Sequence, residues 1–220
     1  MNSIVSTLST VAQFSDDGTK RYLLQKTWDK TKPSLAIIMM CPSTASIVTM
    51  DSTTLLCVNN AERLGFGSIA IVNLFATLND YDLKEAEDED AENLKVIVDV
   101  ARAADKIIYA AGVGKCKNKA FQKRQEEVLI ALLPFEDKLH CLCASDGSAK
   151  MQHPLSPAVR NWNLAQLKIR PLLNLPKDPD AVKKDTVAKS RGKTRIAANA
   201  TTEDIANEII QIATSNETKP

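Results

Sequence analysis

Apolar and polar positions are patterned in two ways along this chain. Residues 35–40, 68–74, 106–111 and 139–144 are short, nearly continuous apolar runs. Runs of that length without a polar face predict strands buried on both sides. A looser alternation over 21–28 predicts an earlier strand. Between these runs, apolar residues recur at helical spacing over 53–64, about 90–104 and 121–133. Pro42 stops the first run, Gly65 and Gly67 close the first helix, Gly112-Val113-Gly114 follows the third run, and Pro134 stops the third helix. A further helix is predicted from Pro157 to about Gln166, and a short amphipathic one over 202–213.

Strands alternating with helices of ten or more residues predict an α/β protein, a three-layer αβα sandwich with a mostly parallel central sheet. At 220 residues the chain holds one such domain, 1–170, followed by a basic linker and short helix over 171–220. Ligands of these folds bind at the carboxyl edge of the strands. Cys41, Asn73, Gly112 and His153 all follow predicted strands at that edge, so four strands aim residues into one crevice.

Composition narrows the class further. The net charge is +1, but it is unevenly spread. Eight acids and one lysine lie within 80–92, and seven cations against three acids lie within 177–195. A basic tail on a near-neutral domain suits a polyanion such as DNA, and a solvated linker has the same composition. No apolar run is long enough to span a bilayer, and the first residues lack the layout of a signal peptide, so a cytoplasmic protein with no membrane partner is expected. The five cysteines lack framework spacing and are expected as thiols. His140, Cys141 and Cys143 lack a fourth ligand and a C-x-x-C pair, so no metal site and no cofactor is expected. Walker, dinucleotide and nucleophile-elbow motifs are absent.

The residues with chemistry sit in two segments. In Gln152-His153-Pro154-Leu155-Ser156-Pro157, prolines hold one of only two histidines. His153 can donate to charge developing on a substrate oxygen or exchange a proton, and a structural loop histidine is the plain alternative. Cys41-Pro42-Ser43-Thr44 turns off a strand with a thiol, two hydroxyls and free N–H groups, which suits a phosphate or a water. Cys41 could act as a nucleophile with His153 as base, or pack as a small apolar group. Asp51 precedes a helix as an N-cap and could also orient water. Asn73 offers the paired donor and acceptor that can read a base edge, or braces the next turn.

In order, Cys41-Pro42-Ser43-Thr44-Ala45, Asp51-Ser52-Thr53, Asn73-Leu74-Phe75-Ala76, Ala111-Gly112 and His153-Pro154-Leu155 resemble an uncharacterised family of bacterial and phage proteins over residues 20–166. That family's pattern is N-P-S-T-A, then N-L-F-A, then H-P-L, and its occurrence implies a role in phage defence or counter-defence. It is similar in turn to the uracil-DNA glycosylase superfamily, which has N-P-G, T-N-L and H-P-S-P-L at the same strand ends. This resemblance implies a glycosylase-like fold and hydrolysis of an N-glycosidic bond in DNA, leaving an abasic site. It assigns catalysis to His153, Asp51 and Cys41, and base binding to Asn73, Pro42 and Ser43. Thr44, Ser156, Arg160, Lys183, Lys184 and Arg191 are the candidate contacts to the nucleic-acid backbone. Two departures stand out. Cys41 replaces the asparagine that positions water, which leaves Asp51 as a substitute carboxylate and points to a modified base. The four cysteines of the iron–sulfur glycosylases are missing. The alternatives are an inactive nucleotide- or nucleic-acid-binding descendant and a Cys–His hydrolase or transferase.

Overall fold

The four apolar runs form the middle of one seven-stranded sheet. The computed structural model describes residues 1–43, 47–78, 91–112, 119–147, 151–173 and 175. In chain order these form β1 (Ser9–Phe14), β2 (Arg21–Thr27), β3 (Ser34–Met39), α1 (Ser52–Arg63), β4 (Ser68–Asn73), α2 (Ala91–Ala103), β5 (Lys106–Tyr109), α3 (Lys119–Ala131), β6 (Leu139–Cys143) and β7 (Asn163–Gln166). Short 3-10 turns lie at Leu133–Phe135 and Pro157–Val159. The strand order is β1-β2-β4-β3-β5-β6-β7.

Alternate residues of the central strands enter two separate cores, which is why those strands read as continuously apolar. On one face, Cys57 and Ala61 of α1 pack with Ile37, Met39, Ile71, Ile108, Leu142 and the later Trp162. On the other, Ile97 and Ala101 of α2 and Phe121 and Val128 of α3 pack with Ala36, Ile38, Val72, Ile107 and Tyr109. Each large aliphatic side chain buried this way contributes about 1.5–3 kcal/mol relative to exposure.

Two sequence expectations require correction. The sheet is mixed, not mostly parallel. The β4-β3-β5-β6 centre is parallel, while β1–β2, β2–β4 and β6–β7 are antiparallel. The Ser15–Lys20 connection is too short for a crossover, so β1 can only fold back beside β2. The predicted helix from Pro157 to Gln166 is instead a single 3-10 turn followed by β7, and Asn163–Gln166 return antiparallel along β6. Strand β1 is an addition that the apolar pattern did not reveal. The acidic stretch at 80–90, the basic linker and the predicted helix at 202–213 lie outside the described residues.

Candidate functional site

The centre of the sheet has a topological switch. The chain leaves β3 toward β4 on one side and leaves β5 toward β6 on the other. In sheets of this kind the ligand edge lies beyond the carboxyl ends of the strands at the switch, here β3 and β5. Cys41-Pro42-Ser43 follows β3, and Gly112 follows β5 with φ 90°, a conformation that favours glycine. Asn73 closes β4 in register with Met39, and the chain after β6 leads to His153.

Asp51 is the N-cap of α1, as its sequence context predicts, and its Oδ1 accepts from the Thr54 N–H at 2.6 Å. Its carboxylate also accepts from the Ser43 hydroxyl and feels the charge of Arg21. Burial alone would raise the Asp51 carboxyl. The hydrogen bonds from Ser43 and Thr54 and the nearby guanidinium outweigh it and hold the carboxyl below its ordinary 3.8. Arg21 is 3% exposed and donates from Nη1 to the Ser43 carbonyl at 3.2 Å. Burial lowers its pKa while Asp51 opposes that, and the group stays charged. Arg21 thus grips the main chain at Ser43, whose side chain grips Asp51.

His153 joins this cluster electrostatically. Burial lowers its pKa below the ordinary 6.5, and the charge of Asp51 partly opposes that shift. Its Nδ1 accepts from the Leu155 N–H at 3.2 Å. A ring nitrogen that accepts an N–H bond carries no proton, so the neutral ring carries its proton on Nε2. The loop around it is firmly tied. Gln152 N–H donates to the Leu142 carbonyl at 3.2 Å, Ser156 N–H to the His153 carbonyl at 2.9 Å, and Ser156 Oγ to Gln152 Oε1 at 3.0 Å. Pro154 is buried, while Leu155 is exposed.

Asn73 is 1% exposed, and among the described residues its Nδ2 has no hydrogen-bond partner. A buried amide donor left unsatisfied costs about 1–3 kcal/mol, so such a group invites a ligand acceptor. Its main chain is held from the opposite face of the sheet. Asn93 Nδ2 donates to the Asn73 and Leu74 carbonyls at 3.1 and 3.0 Å, and Arg124 Nε donates to the Leu74 carbonyl at 2.9 Å.

The structure thus brings Ser43, Asp51 and His153 together and places Cys41, Pro42 and Asn73 on the adjoining strand ends. Cys41 is half-buried and Pro42 buried. Arg160 is exposed beyond the 3-10 turn, and its carbonyl is tied to the middle of α1. Thr44, Lys183, Lys184 and Arg191 lie outside the described residues. Sequence patterns missed Arg21, Asn60, Asn93 and Arg124, because nothing separates a buried polar residue from a solvated one at helical or strand spacing. No disulfide joins Cys41, Cys57, Cys141 and Cys143. Among the described residues, no cluster of three or more His, Cys, Asp or Glu could hold a metal, and no helix is long and apolar enough to cross a membrane.

The protein is an α/β protein with a polar, partly charged site at the carboxyl edge of its central strands. It belongs to the family described as protein of unknown function (DUF1643), whose pattern matches residues 21–155. The match runs from Arg21 to Leu155 and so spans Ser43, Asp51, Asn73 and His153. No curated protein and no solved structure matches the chain.

Proposed function

We propose that this protein is a DNA glycosylase-like enzyme that hydrolyses the N-glycosidic bond of a modified nucleobase and leaves an abasic site. One observation carries this reading above the others: the Leu155 N–H bonded to Nδ1 leaves the neutral His153 ring with its proton on Nε2. A neutral, prepositioned donor is suited to the negative charge that builds on a departing base. The unpartnered Nδ2 of Asn73 suits an acceptor on the same base. Arg21 favours negative charge in the site, and Asp51 is the carboxylate candidate to orient water. Extruding a base from a duplex costs a few kcal/mol, which contacts to the DNA backbone would offset.

The test is incubation of the full chain with oligonucleotides carrying a panel of modified bases, followed by alkali to reveal abasic sites. Cleavage at one base class is expected, with His153→Ala slower by about 10²–10³-fold, the usual effect of removing one donor to a developing anion. No abasic site on any substrate, with His153→Ala binding DNA like the wild type, would overturn the proposal.

A second reading, an inactive nucleotide- or nucleic-acid-binding protein, draws on Asp51 itself. Its carboxylate already accepts from Thr54 and Ser43 and is held below its ordinary pKa, which makes it a weak base. Salt-sensitive DNA binding without abasic sites is the outcome expected of that protein. A Cys–His hydrolase is less well served. The Nδ1 of His153 is engaged and its Nε2 holds the proton, so the ring would need to change tautomer before accepting a thiol proton.

A further inference from the structure

Asp51 and His153 reach the site from different parts of the chain, and one buried side chain ties those parts together. Asn60 lies on α1, nine residues beyond the Asp51 cap, and is 4% exposed. Its Nδ2 donates to the Leu56 carbonyl of its own helix and to the Arg160 carbonyl, both at 3.0 Å. Its Oδ1 accepts from Trp162 N–H and from Arg63 Nη2, both at 3.1 Å. Arg63 Nη2 also donates to the Trp162 carbonyl at 3.1 Å. The carboxamide's two N–H groups and two lone pairs are all engaged.

The 160–162 segment is the far end of the His153 loop. Ser156 N–H bonds the His153 carbonyl and Val159 N–H bonds the Ser156 carbonyl, while Val159 and Trp162 are buried beside α1. Fixing Arg160 and Trp162 therefore fixes His153 through two successive hydrogen-bonded turns. At the near end, Met151 is buried with φ 53°. A bulky side chain keeps that left-handed backbone only where its surroundings over-determine it. The loop is thus forced at both ends, and the far anchor is on the helix that Asp51 caps.

We infer that Asn60 is a positioning residue that sets the His153 loop against the Asp51 end of α1. The inference concerns geometry and needs no turnover, so it stands or falls apart from the glycosylase proposal.

The chain's two histidines make ring-nitrogen NMR of the full protein tractable, since His153→Gln identifies the relevant signals. In the wild type, Asp51→Asn removes an attractive negative charge and lowers the His153 titration midpoint. In an Asn60→Leu background that shift is expected to fall to no more than about half its size, because coupling requires fixed proximity. The Nε2–H tautomer should lose its dominance in the same background. Val58→Ala, a half-buried core truncation on the same helix, controls for general loosening and should leave both readouts intact. Full coupling and an unchanged tautomer in folded Asn60→Leu would overturn the inference. If Asn60→Leu fails to fold, Asn60→Ala decides: it removes the same bonds to Arg160 and Trp162 without adding bulk, and weakened coupling supports the role while unchanged coupling refutes it.

Discussion

The two ends of the sheet are fastened with the same chemical parts, but one end is the more buried: Arg21 is buried and Asp51 half-buried, whereas Asp105 is exposed. At the amino edge of the parallel strands, Asp105 accepts from the Ser34 N–H and hydroxyl, both at 2.8 Å, and Lys138 donates to the carbonyls of Arg102 and Ala104 at the end of α2. At the carboxyl edge, Asp51 accepts from the Thr54 N–H and Ser43 hydroxyl, and Arg21 donates to the Ser43 carbonyl. The histidines at the two ends of β6 also contrast. His140 Nδ1 lies 2.8 Å from the Lys138 carbonyl, which can only accept, so Nδ1 holds the proton. His153 Nδ1 accepts from an N–H, so Nε2 holds it. Hydrogen bonds to Ser34 are the leading influence on Asp105, whereas burial is the leading influence on Asp51, opposed by its partners. The amino edge closes turns at the surface, while the carboxyl edge keeps charge in a desolvated place, where interactions with a ligand are strongest.

The largest expected difference between the two edges lies in their cations. Arg21→Met keeps the side chain's length but leaves the part-buried Ser43 carbonyl without this donor and Asp51 without its guanidinium. A cost of about 2–3 kcal/mol is expected for losing such a charged bond from a buried side chain. Lys138→Met removes a half-buried cation from a helix carboxyl terminus, worth about 0.3–1 kcal/mol. Urea unfolding of both variants measures the gap. Equal costs would mean that burial does not separate the two edges.

How much of this contrast can be read in the residues alone depends on the element. The central strands were legible because both faces are buried, and α1 was legible because Asp51-Ser52-Thr53 is a capping signal followed by an apolar stripe. Strand β1 was not. As an edge strand with Val11 and Phe14 exposed, it carries no burial pattern, and only its pairing with β2 defines it. Nor was β7: Pro157 does open a turn, but Trp162 buries itself and the chain then pairs with β6, a tertiary choice that overrides the helical start. In the site, the strand-end positions of Ser43 and Asn73, the cap at Asp51 and the loop position of His153 were legible from turn and cap chemistry. Arg21, Asn60, Asn93 and Arg124 were not, because their burial depends on carbonyls that come from elsewhere in the chain.

A smaller effect concerns acid. His153 has a folded midpoint below 6.5, so between 6.5 and that midpoint the unfolded chain binds more protons than the folded one. Stability therefore falls as pH is lowered through this window, and His153→Gln should abolish that part of the slope. Protonation also places a hydrogen on Nδ1 facing the Leu155 N–H, so ligand binding should weaken in the same window. Asp51 and Asp105, both held below 3.8, contribute stability that is present above that value and lost as pH falls through it. Denaturant midpoints measured across pH separate the two regimes. A His153→Gln slope identical to the wild type near pH 6 would place the ring in open water and remove the contrast between the edges.

The smallest effect is also the cleanest control. Ser34→Ala deletes the hydroxyl that donates to Asp105 Oδ2 and accepts from the Asp105 N–H at 3.2 Å, but leaves the Ser34 N–H bond to the same carboxylate. Because that backbone bond is the leading cause of the depressed Asp105 pKa, the carboxyl should rise only part of the way toward 3.8. At an exposed site, water replaces the lost partner, so about 0.5–1 kcal/mol is the expected cost. The matching change at the other edge, Ser43→Ala, removes the foremost of the bonds that counter burial at Asp51. There the Asp51 midpoint should rise further than that of Asp105, and His153, which feels the Asp51 charge, should lose that support wherever Asp51 becomes protonated. Carboxyl titrations of the two serine variants compare the edges directly, and equal rises would show that the hydroxyl does the same work in water as in the crevice.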